Sequence, residues 1–216
     1  EPDQSRTFPR TLSGTGLFSS VGEQTPATGV IPYSINAPFW SDGAQKDRWL
    51  FVPEGGKITV LPDGDFDVPV GSSAVKTFTV GGKKIETRLF VRYPDSSWAG
   101  FSYEWNDEGT EALLLDDSKT KPLATGGSWY FPSRGEGFAC HTQAAGFTLG
   151  LEARQLNHDG VLDRFESVLA SPINKDAFPP LRALPDALSQ RAPRPAPAGI
   201  SPQGRRRRQR ARRHHV

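Results

Sequence analysis

Apolar and polar side chains alternate through residues 83–93. Ile85, Thr87, Leu89, Val91 and Tyr93 fall on one face, and Lys84, Glu86, Arg88 and Arg92 on the other. A period of two predicts a β-strand, here in a sheet wetted on one side. Residues 74–80 predict its partner, because Gly81-Gly82 between them suits a two-residue hairpin loop. Phe101, Tyr103 and Trp105 alternate with Ser102, Glu104 and Asn106 and predict a third strand. Shorter strands are expected at 49–52 and 57–61, joined as a hairpin through Pro53-Glu54-Gly55-Gly56, and at 66–70, 113–115 and 128–131. Residues 116–127 read as a polar loop. The pattern then lengthens. Leu149, Ala153 and Leu156 share a stripe of one short helix, and Val161, Leu162, Phe165, Val168 and Leu169 that of a second. Asp159 is its expected N-cap and Ser171-Pro172 its end.

The expected class is therefore α+β, a mainly antiparallel β-sheet domain over 48–131 followed by a short helical segment over 132–172. Residues 1–47 carry neither period and predict an extended segment packed on the domain, pinned by Phe8, Leu12, Phe18, Ile31, Tyr33, Phe39 and Trp40. Asp42-Gly43 marks a turn. Trp40 and Asp42 beside it read either as an anchor next to that turn or as the lining of a pocket. A Pro-rich strap covers 173–190, in which Leu181, Leu184 and Leu188 can dock, and 191–216 form a basic tail.

Charge sharpens this division. The chain's net charge of +2 conceals an uneven distribution. Nine of the 26 Lys and Arg residues lie in 191–216, where no acid occurs, leaving 17 against 24 acidic residues in the body. The tail has no aromatic to stack on bases, so nucleic acid is not an expected partner. Its Arg, Pro, Ala and Gly content reads either as a disordered basic tail or as the out-of-frame product of a GC-rich gene. No apolar run is long enough to span a membrane. A single cysteine excludes an internal disulfide and leaves the redox compartment open.

That cysteine carries the strongest chemical signal. Cys140-His141 ends a five-residue unit in the manner of the haem-attachment motif C-x-x-C-H, with Gly137 at the place of the first cysteine. Around it stand Phe131-Pro132-Ser133-Arg134, then His141-Thr142-Gln143-Ala144-Ala145-Gly146-Phe147, then Leu149-Gly150-Leu151 and Gln155-Leu156-Asn157. Upstream lie Phe8-Pro9-Arg10-Thr11-Leu12, Gly16-Leu17-Phe18, Pro38-Phe39-Trp40-Ser41-Asp42-Gly43-Ala44, Pro69-Val70-Gly71 and Lys76-Thr77-Phe78. Over residues 8–188 this pattern resembles a family of secreted bacterial di-haem c-type cytochromes. A weaker likeness in element order is to haem proteins that place a sheet before a C-terminal C-x-x-C-H.

The resemblance implies that 132–172 is a helical haem-binding segment. It implies haem c held by one thioether from Cys140, with His141 as the proximal iron ligand. It further implies electron transfer with a redox partner protein, in the periplasm or outside the cell. The chain departs from the family at Gly137 and in lacking a second C-x-x-C-H domain near residue 190. Methionine is absent, so the sixth iron position is open, filled by water, or taken by a residue such as His158. His158 reads equally as a solvated loop histidine. Other readings remain beside this one. The chain can be a haem-free β-rich binding or structural domain with Cys140 as a small buried apolar residue, or a haem enzyme with an open sixth position. A cysteine hydrolase lacks a well-placed base, and a zinc site from Cys140, His141 and His158 lacks ligands. Asp107, Glu108, Asp116 and Asp117 read as solvated loop charges.

Overall fold

The computed structural model describes residues 8–39, 41–137, 148 and 150–181. Trp40, Cys140, His141, Leu149, Leu184, Leu188 and the basic tail lie outside the described residues.

In chain order, β1 (Phe18–Ser20) pairs with β2 (Thr25–Pro26), and β3 (Val30–Tyr33) leads into β4 (Gln45–Phe51). The short β5 (Thr59–Val60) and β6 (Phe66–Asp67) pair with each other. Then follow β7 (Ser73–Val80), β8 (Lys83–Arg92), β9 (Trp98–Trp105) and β10 (Ala112–Leu114) as an antiparallel meander. A last hairpin joins β11 (Lys119–Pro122) to β12 (Ser128–Phe131). The main sheet has six strands in the order β10-β9-β8-β7-β4-β3, all antiparallel. Helix is confined to short pieces, α1 (Arg134–Gly137), α2 (Ala153–Leu156) and 3-10 turns including Leu162–Val168. The fold is thus mostly antiparallel β, as the alternation predicts. Among the described residues no helix is long and apolar enough to cross a membrane.

The Gly81-Gly82 hairpin forms as expected, both glycines taking positive φ (56° and 77°), which the tight turn between right-twisting strands demands. Four sequence expectations are corrected. Residues 49–52 do not pair with 57–61, because β4 lies between β3 and β7. Ile58 is drawn instead to the C-terminal segment, where its N–H donates to the Val168 carbonyl and its own carbonyl accepts from Ala170. Residues 1–47 are not merely laid on the domain, since β3 is an edge strand of the sheet. The polar loop 116–127 contains β11. Finally, the face of β8 away from Leu89 is not wet, and Glu86 there is fully buried. A register shift beside Phe78 leaves Ile85 unpaired, as in a β-bulge, so Ile85 joins Phe78, Trp129 and Phe131 rather than the face of Leu89.

Both sheet faces carry packed side chains. One carries Leu12, Phe18, Trp49, Val75, Leu89, Tyr103 and Trp105. Its interior polar atoms are paired: the Thr77 and Thr87 hydroxyls lie 2.7 Å apart, and Trp105 Nε1 donates to Thr87 at 2.9 Å. The other face is closed at its two ends and open between them. At one end Leu50, Ala74 and Phe90 pack with Tyr33, Phe66, Leu156 and Phe165. At the other, the β11–β12 hairpin lays Trp129 and Phe131 on Phe78.

Phe165 ties the C-terminal segment to the sheet. It is fully buried and meets Tyr33 and Phe66 edge-on at centroid distances of 6.1 and 5.9 Å. Phe165→Ala is expected to cost about 3–5 kcal/mol through lost burial and the cavity left behind. A urea midpoint lowered at unchanged slope would be the observation; an unchanged midpoint would contradict this packing.

Candidate functional site

Between the two closed ends the same sheet face presents three rows of side chains, set by strand register. One row is Leu50, Ala74, Phe90 and Gly100; the next is Arg48, Lys76, Arg88 and Ser102; the third is Lys46, Phe78, Glu86 and Glu104. Over them lies a cavity of about 420 Å³, a size suited to a small ligand or cofactor. Phe39, Phe78 and Phe90 give it apolar walls, and Arg48, Lys76, Arg88 and Arg134 give it positive charge. Phe39 stands at its wall half exposed, an apolar side chain with little covering it. A Cβ on Gly100 would stand 3.1 Å from Phe90 Cε2, so the bare glycine keeps the aromatic ring close against β9.

Burial shapes the charges here. Glu86 is enclosed but satisfied: both its oxygens accept from Arg88 at 2.8 Å, and Oε2 also accepts from Trp129 Nε1 at 2.8 Å. The Arg88 guanidinium in turn lies over the Phe78 ring. Arg48 is only 7% exposed. Its Nη1 donates to the Lys46 carbonyl, whereas its Nε has no hydrogen-bond partner among the described residues. The neighbouring Tyr33 hydroxyl, opposite Arg48 in register, is likewise unpartnered among them. Burial pushes that phenol above its ordinary range.

Lys46 reports on this crowding. Its ammonium donates to the Phe39 carbonyl and to Ser41 Oγ. Burial, and then the positive charges of Arg48 and Arg88, push its pKa down to about 8. The unfolded chain therefore holds a proton that the folded chain has lost between pH about 8 and the ordinary 10.5, and in that window Lys46 makes stability rise with pH. Unfolding midpoints measured across the window are expected to climb more steeply in the native chain than in Lys46→Gln. Parallel profiles would contradict the assignment.

Residues 132–136, which precede the Cys140-His141 pair in the sequence, border this cavity. Pro132, Ser133, Arg134 and Glu136 line it. Ser133 N–H and Oγ both donate to Glu136 Oε2 at 2.8 Å, the reciprocal half of a capping box, and this starts α1. Tyr130 Oη donates to the same carboxylate. These donors, the Ser133 backbone first, hold the Glu136 carboxyl below its usual range. The Arg134 guanidinium lies over the Phe101 ring, 4.7 Å from its centroid. Cys140 and His141 follow four and five residues after Glu136, outside the described residues.

The remaining sequence candidates are placed elsewhere. His158 is half-buried and does not line the cavity. Its Nδ1 lies 3.1 Å from Asp159 Oδ2 and its Nε2 3.3 Å from the Ser34 carbonyl. Both neighbours are acceptors, so an imidazole with one N–H serves one of them at a time. Asp159 is no N-cap; it takes φ 44°, and Val161 precedes the 3-10 turn without a side-chain cap. Asp42 adopts a left-handed φ of 50° ahead of Gly43, as the turn reading expects. Asp116 and Asp117 line the cavity mouth, Asp116 also pairing with Arg10. Asp107 lies 3.5 Å from Lys121. Among the described residues no group of three or more His, Cys, Asp or Glu is placed to hold a metal ion.

Sequence reasoning missed the cationic row. Arg88 read as one of the solvent-facing charges of its strand, Lys76 entered only within the quoted Lys76-Thr77-Phe78, and Arg48 was not singled out. The available signal was a cation at an alternating position on each of three strands, but only register shows that they align. Comparison with family models, with curated proteins and with solved structures found no match.

Proposed function

We propose that this chain is a c-type cytochrome domain, with Cys140 as the single thioether donor and His141 as the proximal iron ligand. The observation that carries the reading is the cavity on the sheet face, whose rim is built by the residues leading directly into Cys140-His141. Its donor set suits a porphyrin: aromatic walls from Phe39, Phe78 and Phe90, and cations at Arg48, Lys76 and Arg88 opposite acidic groups. The buried Arg48 Nε, without a partner among the described residues, is the kind of donor such a group would satisfy.

When bound, haem supplies a one-electron iron couple, and the protein sets its ligation and exposure. The chain's own contributions are local. Phe78 and Phe90 give the inner wall its apolar surface, and Glu136 accepts from Ser133 at the start of α1. Among these readings an electron carrier, working with a redox partner protein outside the cytoplasm, is favoured over a catalyst. The haem-free binding domain is the second reading, favoured by the same cationic row, which can take an anion without iron.

A pyridine haemochrome spectrum of the denatured full chain, produced alongside a c-type haem maturation system, separates them. The cytochrome reading expects an α-band between those of non-covalent and doubly attached haem. A chain with no Soret absorbance would rule it out.

A further inference from the structure

Lys119, Lys121 and Lys175 are each ion-paired with a carboxylate. Lys46 is joined to no carboxylate among the described residues. Its side-chain nitrogen donates to the Phe39 carbonyl and, at 2.8 Å, to Ser41 Oγ. In register it stands beside Phe78 on β7, and Arg48 follows two residues along the same face of β4. Phe39 and Phe78 make the cavity wall apolar on this side. The acidic groups around the cavity are engaged elsewhere. Glu86 accepts from Arg88 and Trp129, Glu136 from Ser133 and Tyr130, Asp116 from Arg10, and Asp117 from the Ser118 N–H. What acts on the Lys46 amine is therefore burial and the charge of Arg48 and Arg88, and all three disfavour the ammonium. A neutral amine can give its two N–H groups to the same two acceptors and still has a lone pair left over. Lys84 is the nearest rival. Burial lowers its pKa too, but the charge of Glu23 works against this, and its ammonium is committed to the Gly22 carbonyl and the Trp105 ring.

We propose that Lys46 is a nucleophilic amine that captures an apolar aldehyde in this cavity as an imine. The lone pair of the neutral amine adds to the carbonyl carbon. Nitrogen then gives up both hydrogens, which leave with the carbonyl oxygen as water. A C=N bond replaces the C=O bond, and no oxidant or reductant is consumed. The cations that keep the amine neutral also keep the imine unprotonated, while Phe39 and Phe78 take the aldehyde's apolar body. Capture at Lys46 shares the cavity with the proposed haem but needs neither Cys140 nor iron, and the two ligands would compete for the same space.

The test uses the full chain produced without haem maturation, so that its failure is separate from a failure of haem attachment. The chain is treated at pH about 8 with benzaldehyde and sodium cyanoborohydride, which traps an imine by adding hydride to its carbon. The alkylated lysines are then mapped by mass after digestion. With a pKa of about 8, about half of Lys46 is neutral there, against less than about 1% of a lysine at 10.5. Lys46 is expected to be alkylated roughly tenfold faster than any other lysine, since its lower basicity gives back part of that advantage. Formaldehyde has no apolar body and is expected to narrow the lead. Lys46→Arg, which keeps the charge, is expected to lose the fast phase. Labelling spread evenly over the lysines, Lys84 reacting first, a lead as large with formaldehyde as with benzaldehyde, or a fast phase that survives in Lys46→Arg would each overturn the proposal. Mapping on the native chain decides the matter even if the variant folds poorly.

Discussion

Arg88→Ala is expected to lower stability by about 3 kcal/mol, although Arg88 itself is partly exposed. The reason lies in what it leaves behind. Glu86 is fully buried and receives three hydrogen bonds, two of them from Arg88. Without that guanidinium the carboxylate keeps, among the described residues, only the Trp129 indole. Removing one partner of a buried pair costs about 3–5 kcal/mol, and entry of water through the adjoining cavity places this case at the lower end. For a chain of this size the loss corresponds to a fall of roughly 6–12 °C in the thermal midpoint. Adding Glu86→Gln to Arg88→Ala should recover much of it, because an uncharged amide needs less compensation. Equal stability of Arg88→Ala and the native chain would show that Glu86 is not enclosed as described.

On the proposed cytochrome reading, Cys140→Ala is expected to abolish covalent haem altogether, since no other cysteine exists to form a thioether. The converse change is as informative. Gly137→Cys restores C-x-x-C-H and is expected to move the haemochrome α-band to the position of doubly attached haem. Gly137 is the last residue of α1 and holds the first position of the five-residue unit. A cysteine there that left the band unchanged would mean that 137 and 140 do not present their side chains to one ligand.

The strands of the meander were legible because alternation with a Gly-Gly turn is a local signal, and β7, β8 and β9 follow it closely. What failed was long-range. Lys57–Leu61 looks like the return strand of a hairpin, but Ile58 gains more by pairing with the C-terminal segment around Val168. Glu86 looks like a solvated charge, because its enclosure comes from Trp129, 43 residues further along the chain. The bulge that turns Ile85 across the sheet leaves no mark in the alternation. In the candidate site, Phe131 to Arg134 were marked by their motif, and the structure adds Glu136, which caps α1 with Ser133. Arg48, Lys76 and Arg88 were invisible as a group, since three cations on three strands become neighbours only once register is known.

The mass of the intact chain, measured after full denaturation and taken from cells equipped for c-type haem maturation, bears most directly on the account. A species heavier by one haem that disappears in Cys140→Ala is the predicted result. A bare polypeptide mass from folded protein, matched by no Soret absorbance before denaturation, would contradict it.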